Sequence, residues 1–210
     1  MMRSRSSVAL PISLVLGVLA CGGSADVPSM PDTVADPSTA LIFDPAGDTF
    51  GLPGLTQWDV TGLSITRETD GITVRVDFAN NVELPTPGDP NALVGLVELD
   101  LDQNVVTGKL GILDQLRKDG GATGMGVDAA LNLSNIAADS TLIVYDMGGN
   151  PTGRAKVAIG GHRLTIHVPS ALIGNDDGYL DAAVIVANSR SITDLAPQSG
   201  HLSLSPPTPR

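Results

Sequence analysis

Gly71-Ile72-Thr73-Val74-Arg75-Val76-Asp77-Phe78 decides the fold. Apolar residues stand at every second position, with Thr, Arg and Asp between them. A strict period of two puts one set of side chains in a core and the other in water, the pattern of a half-buried strand. Thr69-Asp70-Gly71 immediately before it is a hairpin turn signal, since Asp and Gly take up the tight, positive-φ backbone that such turns need. The preceding Leu63-Ser64-Ile65-Thr66-Arg67 is then the antiparallel partner.

The same period recurs outward from this hairpin. Val97, Leu99 and Leu101 alternate with Glu98, Asp100 and Asp102. Val127, Ala129, Leu131 and Leu133 alternate with Asp128, Ala130 and Asn132. Further β-rich runs are 141–145, 155–159 and 164–168, with Gly148-Gly149-Asn150-Pro151 and Gly160-Gly161 as turns between them. The run from Leu180 to Ala187 is almost unbroken, which predicts burial on both faces. Helix is sparse: 110–118 reads as two turns, and Ser170-Ala171-Leu172-Ile173-Gly174 as a single turn stopped by glycine. Short strands at short intervals predict an all-β antiparallel sandwich of two sheets, with about seven to nine strands and one or two helical turns.

Composition agrees. Of 23 acids, all but Glu68, Glu83 and Glu98 are Asp, and there are 24 Gly and 15 Pro. Asp favours turns and caps where Glu favours helix, so the imbalance fits a loop-rich β protein. The formal net charge is −11. A chain so acidic is repelled by nucleic acid and by anionic lipid, so nucleic acid is excluded as a partner.

The N-terminus carries its own signal. Arg3 and Arg5 precede an apolar stretch from Val8 to Leu19, interrupted by Pro11 and Gly17. It is shorter than the ~20 residues of a spanning helix, and its plan is that of a secretory signal. Val18-Leu19-Ala20-Cys21 resembles the lipobox of bacterial lipoproteins, and Cys21 is the chain's one cysteine. The resemblance implies cleavage before Cys21, acylation of its thiol, and membrane attachment through lipid. Gly22 is not the Asp that in enterobacterial lipoproteins favours inner-membrane retention. In a cell with two membranes the expected location is therefore the outer one, with the domain extracytoplasmic. The expected layout is a signal peptide at 1–20, a lipidated flexible tether at 21–38, one sandwich domain at 39–204 and a proline-rich tail at 205–210. Without residues 1–20 the chain has ten Lys and Arg against 23 acids, a net charge of −13.

The densest candidate for chemistry is Leu99-Asp100-Leu101-Asp102-Gln103-Asn104-Val105-Val106-Thr107-Gly108. Asp100, Asp102 and Asn104 at alternate positions collect hard oxygen ligands on one side of the chain, which is how calcium loops are made. It is not an EF-hand, because Val105 and Gly111 stand where that loop needs Gly and Glu. The competing reading is an acidic strand end that turns on Asp and Asn. Asp44-Pro45-Ala46-Gly47-Asp48 and Asn175-Asp176-Asp177-Gly178 read as turns; Asp48, Asp59 and Asp128 are acids that folding can bring to a metal. There is no Gly-x-Ser-x-Gly elbow, no His-Glu-x-x-His and no second cysteine, and His162, His167 and His201 are scattered. No catalytic residue is assigned, and an enzyme is not expected.

In order, Asp44 to Asp48, Asp59-Val60-Thr61, 99–108, Val168 to Gly174 and Asp176 to Leu180 resemble the sandwiches of family-nine carbohydrate-binding modules and DOMON domains, over about 41–201. The resemblance implies a non-catalytic β-sandwich, in some members with structural calcium and binding sugar or haem. One Trp, two Tyr and three Phe make an aromatic content low for a sugar binder. The expected function is a lipid-anchored, non-catalytic binding module for a glycan or another extracellular ligand. The alternative is a structural or protein-binding surface lipoprotein.

Overall fold

The computed structural model describes residues 39–116, 123–174 and 176–206. Cys21, the signal and tether, the end of the 110–118 segment, Asn175 and residues 207–210 lie outside them. The described residues are nearly all β. Eleven strands form, in chain order β1 (Thr39–Phe43), β2 (Val60–Arg67), β3 (Gly71–Phe78), β4 (Val94–Asp100), β5 (Ala129–Asn132), β6 (Thr141–Asp146), β7 (Pro151–Gly160), β8 (Arg163–Pro169), β9 (Leu180–Ala187), β10 (Ile192–Ala196) and β11 (Leu202–Leu204). Among the described residues the one α-helix, α1, is Ile112–Leu116, and short 3-10 turns occupy Leu133–Asn135 and Ser170–Leu172. No helix among the described residues is long and apolar enough to cross a membrane.

Each of the eight expected strands is present. The count of seven to nine is corrected to eleven by β1, β10 and β11. These are three to five residues long, too short for alternation to declare itself. The segment 127–133 is shorter as a strand than its period suggests. Asn132 Oδ1 accepts the Ser134 amide at 2.9 Å and caps a 3-10 turn that takes Leu133 out of the strand.

All pairings are antiparallel, in the order β1-β2-β3-β8-β7-β6-β5-β4-β9-β10, with β11 also on β9. One continuous sheet thus curls into a half-barrel. Register follows the hydrophobic period: Ile65 faces Val74, Val74 faces Ile166, and Val97 faces Val184. Gly71 is where β3 meets the end of β8. A Cβ there would stand 2.1 Å from the Val168 carbonyl, so only glycine fits.

The main core lies on the concave face and takes Leu63, Ile65, Val74, Val76, Leu131, Leu142, Leu164 and Ile166, all at 0% exposure. A second, smaller core lies on the other face, where Leu113 of α1, Met125 and Val127 cover Ala183 and Ile185 of β9. β9 therefore sends Leu180, Ala182, Val184 and Val186 to one core and Ala183 and Ile185 to the other. This two-sided burial is the reason for its unbroken apolar run.

The two ends of the sheet approach each other. The Val60 amide of β2 donates to Asp194 Oδ2 of β10 at 2.7 Å, and Thr193 Oγ1 donates to the Trp58 carbonyl at 2.9 Å. Trp58 is buried against Phe78, edge to face, with ring centroids 6.1 Å apart. It plugs the core rather than offering a platform to solvent.

Candidate functional site

β4 ends at Asp100, and the chain turns at once through the acidic loop. Asp100 is fully buried. Its Oδ2 accepts the Gly126 amide at 2.8 Å, and its Oδ1 accepts the amides of Asp102 and Asn104 at 3.3 Å each. Asp102 takes Thr107 Oγ1 on both oxygens, at 3.0 and 2.9 Å. Asp128 Oδ2 accepts the Leu101 amide at 2.9 Å. The loop closes tightly on the strand after it, for a Cβ on Gly108 would come 2.1 Å from the Gly126 carbonyl. Gln103 adopts φ 53°, the left-handed region that non-glycine residues seldom enter, and donates to Asp181 Oδ1 at 2.5 Å.

Of the three expected cation ligands, the structure brings Asp100 and Asp102 together and adds Asp128. One oxygen from each lies within 4.8 Å of the others. Asn104 Oδ1 accepts the Val106 amide at 3.2 Å. Burial pushes the carboxyls of Asp100 and Asp128 above the ordinary aspartate range, and neighbouring carboxylates raise them further: Asp181 for the first, Asp102 and Asp100 for the second. Most of these oxygens are occupied by backbone and hydroxyl donors. The cluster braces a tight turn, and three oxygens at this spacing also match what a hard cation binds.

His201 completes this corner. Its Nδ1 lies 2.5 Å from the Thr123 carbonyl and its Nε2 3.2 Å from Asp181 Oδ2. His167 sits elsewhere, 3.4 Å from Asp70 across the β2–β3 turn. Asp176 is held by Arg67, whose Nη2 donates to its Oδ1 at 3.1 Å. Asp48 and Asp59 stand at the other end of the sheet, beside Asp194.

Beyond the acidic loop, residues 105–111 cross the sheet as a strap. Lys109 forms a β-bridge to Val127, and its Nζ donates to the Met147 carbonyl. Between strap, α1 and the sheet face opposite the main core runs a groove of about 370 Å³. Its floor is Leu96 and Glu98 of β4 and Tyr145 of β6; Leu110, Ile112 and Met147 form its rim. Leu110 is 63% exposed and Ile112 42%. Glu98, only 2% exposed, accepts the amides of Ile112 at 2.5 Å and Leu113 at 3.4 Å. Burial raises the Glu98 carboxyl above its ordinary value, and the nearby Asp114 charge adds to the rise. Tyr145 Oη accepts Asn135 Nδ2 at 3.2 Å, which fixes the ring at one end of the groove.

Sequence reasoning found the acidic loop and missed the groove. Glu98, Tyr145 and Ile112 share no local pattern, and only the pairing of β4 with β5 and β5 with β6 sets them side by side. No family model matches the chain, and no curated protein matches it.

Proposed function

We propose that this protein is a lipid-anchored, extracytoplasmic, non-catalytic binding module whose ligand is a glycan held in the groove over β4, β5 and β6. The groove is the observation that carries the reading. Its volume falls within the roughly 300–1,000 Å³ of small-molecule sites, and an apolar lining with a few fixed polar groups is what such sites use. Tyr145 offers a ring with a polar tip, suited to a sugar's apolar face and hydroxyls together. Asn132 and Gln115, also in the lining, supply amide donors and acceptors.

Anchoring at Cys21 belongs to the same proposal, with the outer membrane as its location in a cell with two membranes. The two halves of the curled sheet, β1-β2-β3-β8-β7 and β6-β5-β4-β9-β10, are proposed as the two layers of a sandwich around the main core. A second reading, a protein-binding surface lipoprotein, is favoured by the edge strand β1, where Leu41 is 51% and Phe43 83% exposed.

Two measurements test the proposal. Cys21→Ser is expected to release the protein from membranes; a variant that still fractionates with lipid at high salt removes the anchor. On a glycan array, wild-type protein is expected to bind a defined set of sugars. Tyr145→Ala should weaken that binding at least tenfold while the protein stays folded, given roughly 1.5–3 kcal/mol for a large side chain buried by its partner. No binding to any glycan, with a partner lost on Phe43→Ser, supports the second reading.

A further inference from the structure

The other end of the sheet holds a second group of acids, away from the groove and the acidic loop. Asp44 follows β1, Asp48 closes the loop after it, Asp59 precedes β2, and Asp194 lies in β10. Asp194 is fully buried, while Asp44 and Asp59 are each 8% exposed. One carboxylate oxygen from each of Asp44, Asp48 and Asp194 lies within 4.8 Å of the others. Oxygens bound to one Ca²⁺ at about 2.3–2.6 Å can stand at most about 5 Å apart, so this spacing fits a common ion.

Proximity of acids is not by itself a site. The independent observation is a pair of orphaned oxygens. Asp59 Oδ2 accepts the Gly47 amide at 2.8 Å, which pins this carboxylate against the middle of the Asp44–Asp48 loop. Asp59 Oδ1 is buried and takes no hydrogen bond. Asp48 behaves alike: Oδ2 accepts Gln198 Nε2 at 3.0 Å, and Oδ1 is buried without a donor. Both acids lie close enough to Asp194 for their charges to act on it. Asp194 itself accepts the amides of Val60 and Leu195, at 2.7 Å each. Among the described residues, no ion pair involves Asp48, Asp59 or Asp194. Buried carboxylate oxygens with neither a donor nor a counter-charge are costly, and a cation coordinated by them removes that cost.

We propose that Asp44, Asp48, Asp59 and Asp194 bind a hard divalent cation of the calcium class, which joins the start of the sheet, at β1 and β2, to β10. The ligand chemistry is all oxygen and strongly anionic, which selects Ca²⁺ over softer metals. The ion locks the closure that the Val60 and Thr193 hydrogen bonds begin.

The test uses the full chain stripped with chelator and then titrated with Tb³⁺. Trp58 is the one tryptophan of the chain and precedes Asp59. Excitation of Trp58 should give saturable Tb³⁺ emission that Ca²⁺ displaces. Asp48→Asn should weaken Tb³⁺ binding at least tenfold and abolish the rise in melting temperature that Ca²⁺ gives the wild type. Asp102→Ala, in the acidic loop, should leave both unchanged. If Asp48→Asn does not fold, Asp59→Asn takes its place, and the wild-type emission stands without any variant. Absence of both Tb³⁺ emission and a Ca²⁺-dependent melting shift overturns the proposal. So does a signal lost on Asp102→Ala but kept on Asp48→Asn, which assigns the ion to the acidic loop.

Discussion

Glu98 shows what a single buried acid does to this fold. It sits on the groove floor with its charge removed from water and two amides as its donors. Its folded pKa lies above the ordinary 4.5, so between the two values the folded chain holds a proton that the unfolded chain releases. The stability it contributes is complete below the unfolded pKa and is lost as pH rises through the folded one. Glu98→Gln removes the ionisation and keeps one acceptor oxygen, for the Ile112 amide at 2.5 Å, and gives up the longer 3.4 Å bond from the Leu113 amide, which goes to the other oxygen. The variant should melt higher than wild type at pH 7, and the difference should vanish near pH 4. Thermal scans across that range check it, and a variant that melts lower at pH 7 would show that the charge itself holds α1 in place.

At the level of elements, α1 is the clearest case of packing overriding propensity. Its described residues, Ile112–Leu116, make little more than one turn, and a turn of helix is held by tertiary packing rather than by propensity. Leu113 has 0% exposure, capping Ala183 and Ile185 on the face away from the main core. Leu113→Ala should therefore cost about 2–5 kcal/mol, the range for a large buried side chain removed from a packed site. Leu110→Ala, three residues away and 63% exposed, should stay within about 0.5 kcal/mol of wild type. Urea melts of the two variants separate a covering element from a loose strap. Helical periodicity did not single out Leu113 as the anchor, because Leu110, Ile112, Leu113 and Leu116 offer several apolar positions within a short segment. The strands fared differently. Ile72, Val74, Val76 and Phe78 alternate with polar residues, and a one-residue slip would turn them all outward, so their register was legible. β9 was legible too, for a different reason: its apolar run has two cores to fill. Turns were legible where they use Asp-Gly or Gly-Gly, as at 69–71 and 160–161. The 3-10 turn at Leu133 was not, since its cap comes from Asn132, which in the linear pattern is one more polar strand position.

Across the whole molecule, what sequence withholds is strand order. β3 pairs with β8 and β4 with β9, each across some eighty or ninety residues, and no local motif records such a choice. The acids diverge for the same reason. Asp128 joins Asp100 and Asp102 because β4 and β5 are neighbours, whereas Asp48 and Asp59 reach Asp194 because the sheet curls until its ends meet. Thr193 tests that closure without touching a carboxylate. It has 0% exposure, and its Oγ1 donates to the Trp58 carbonyl. Thr193→Val keeps the shape and deletes the donor, leaving a buried carbonyl short of a partner at a cost of about 1–3 kcal/mol. If closure is cooperative with the core, the loss should appear as a uniform fall in amide exchange protection throughout the sheet. If the ends form a separate, weaker seam, only neighbouring amides should lose protection, Val60 and Ala79 first, while Val74 and Val76 keep theirs. The second outcome is expected. The seam joins β2 and the segment before it to β10 through a few polar contacts, whereas β3 is bonded along its whole length on both sides.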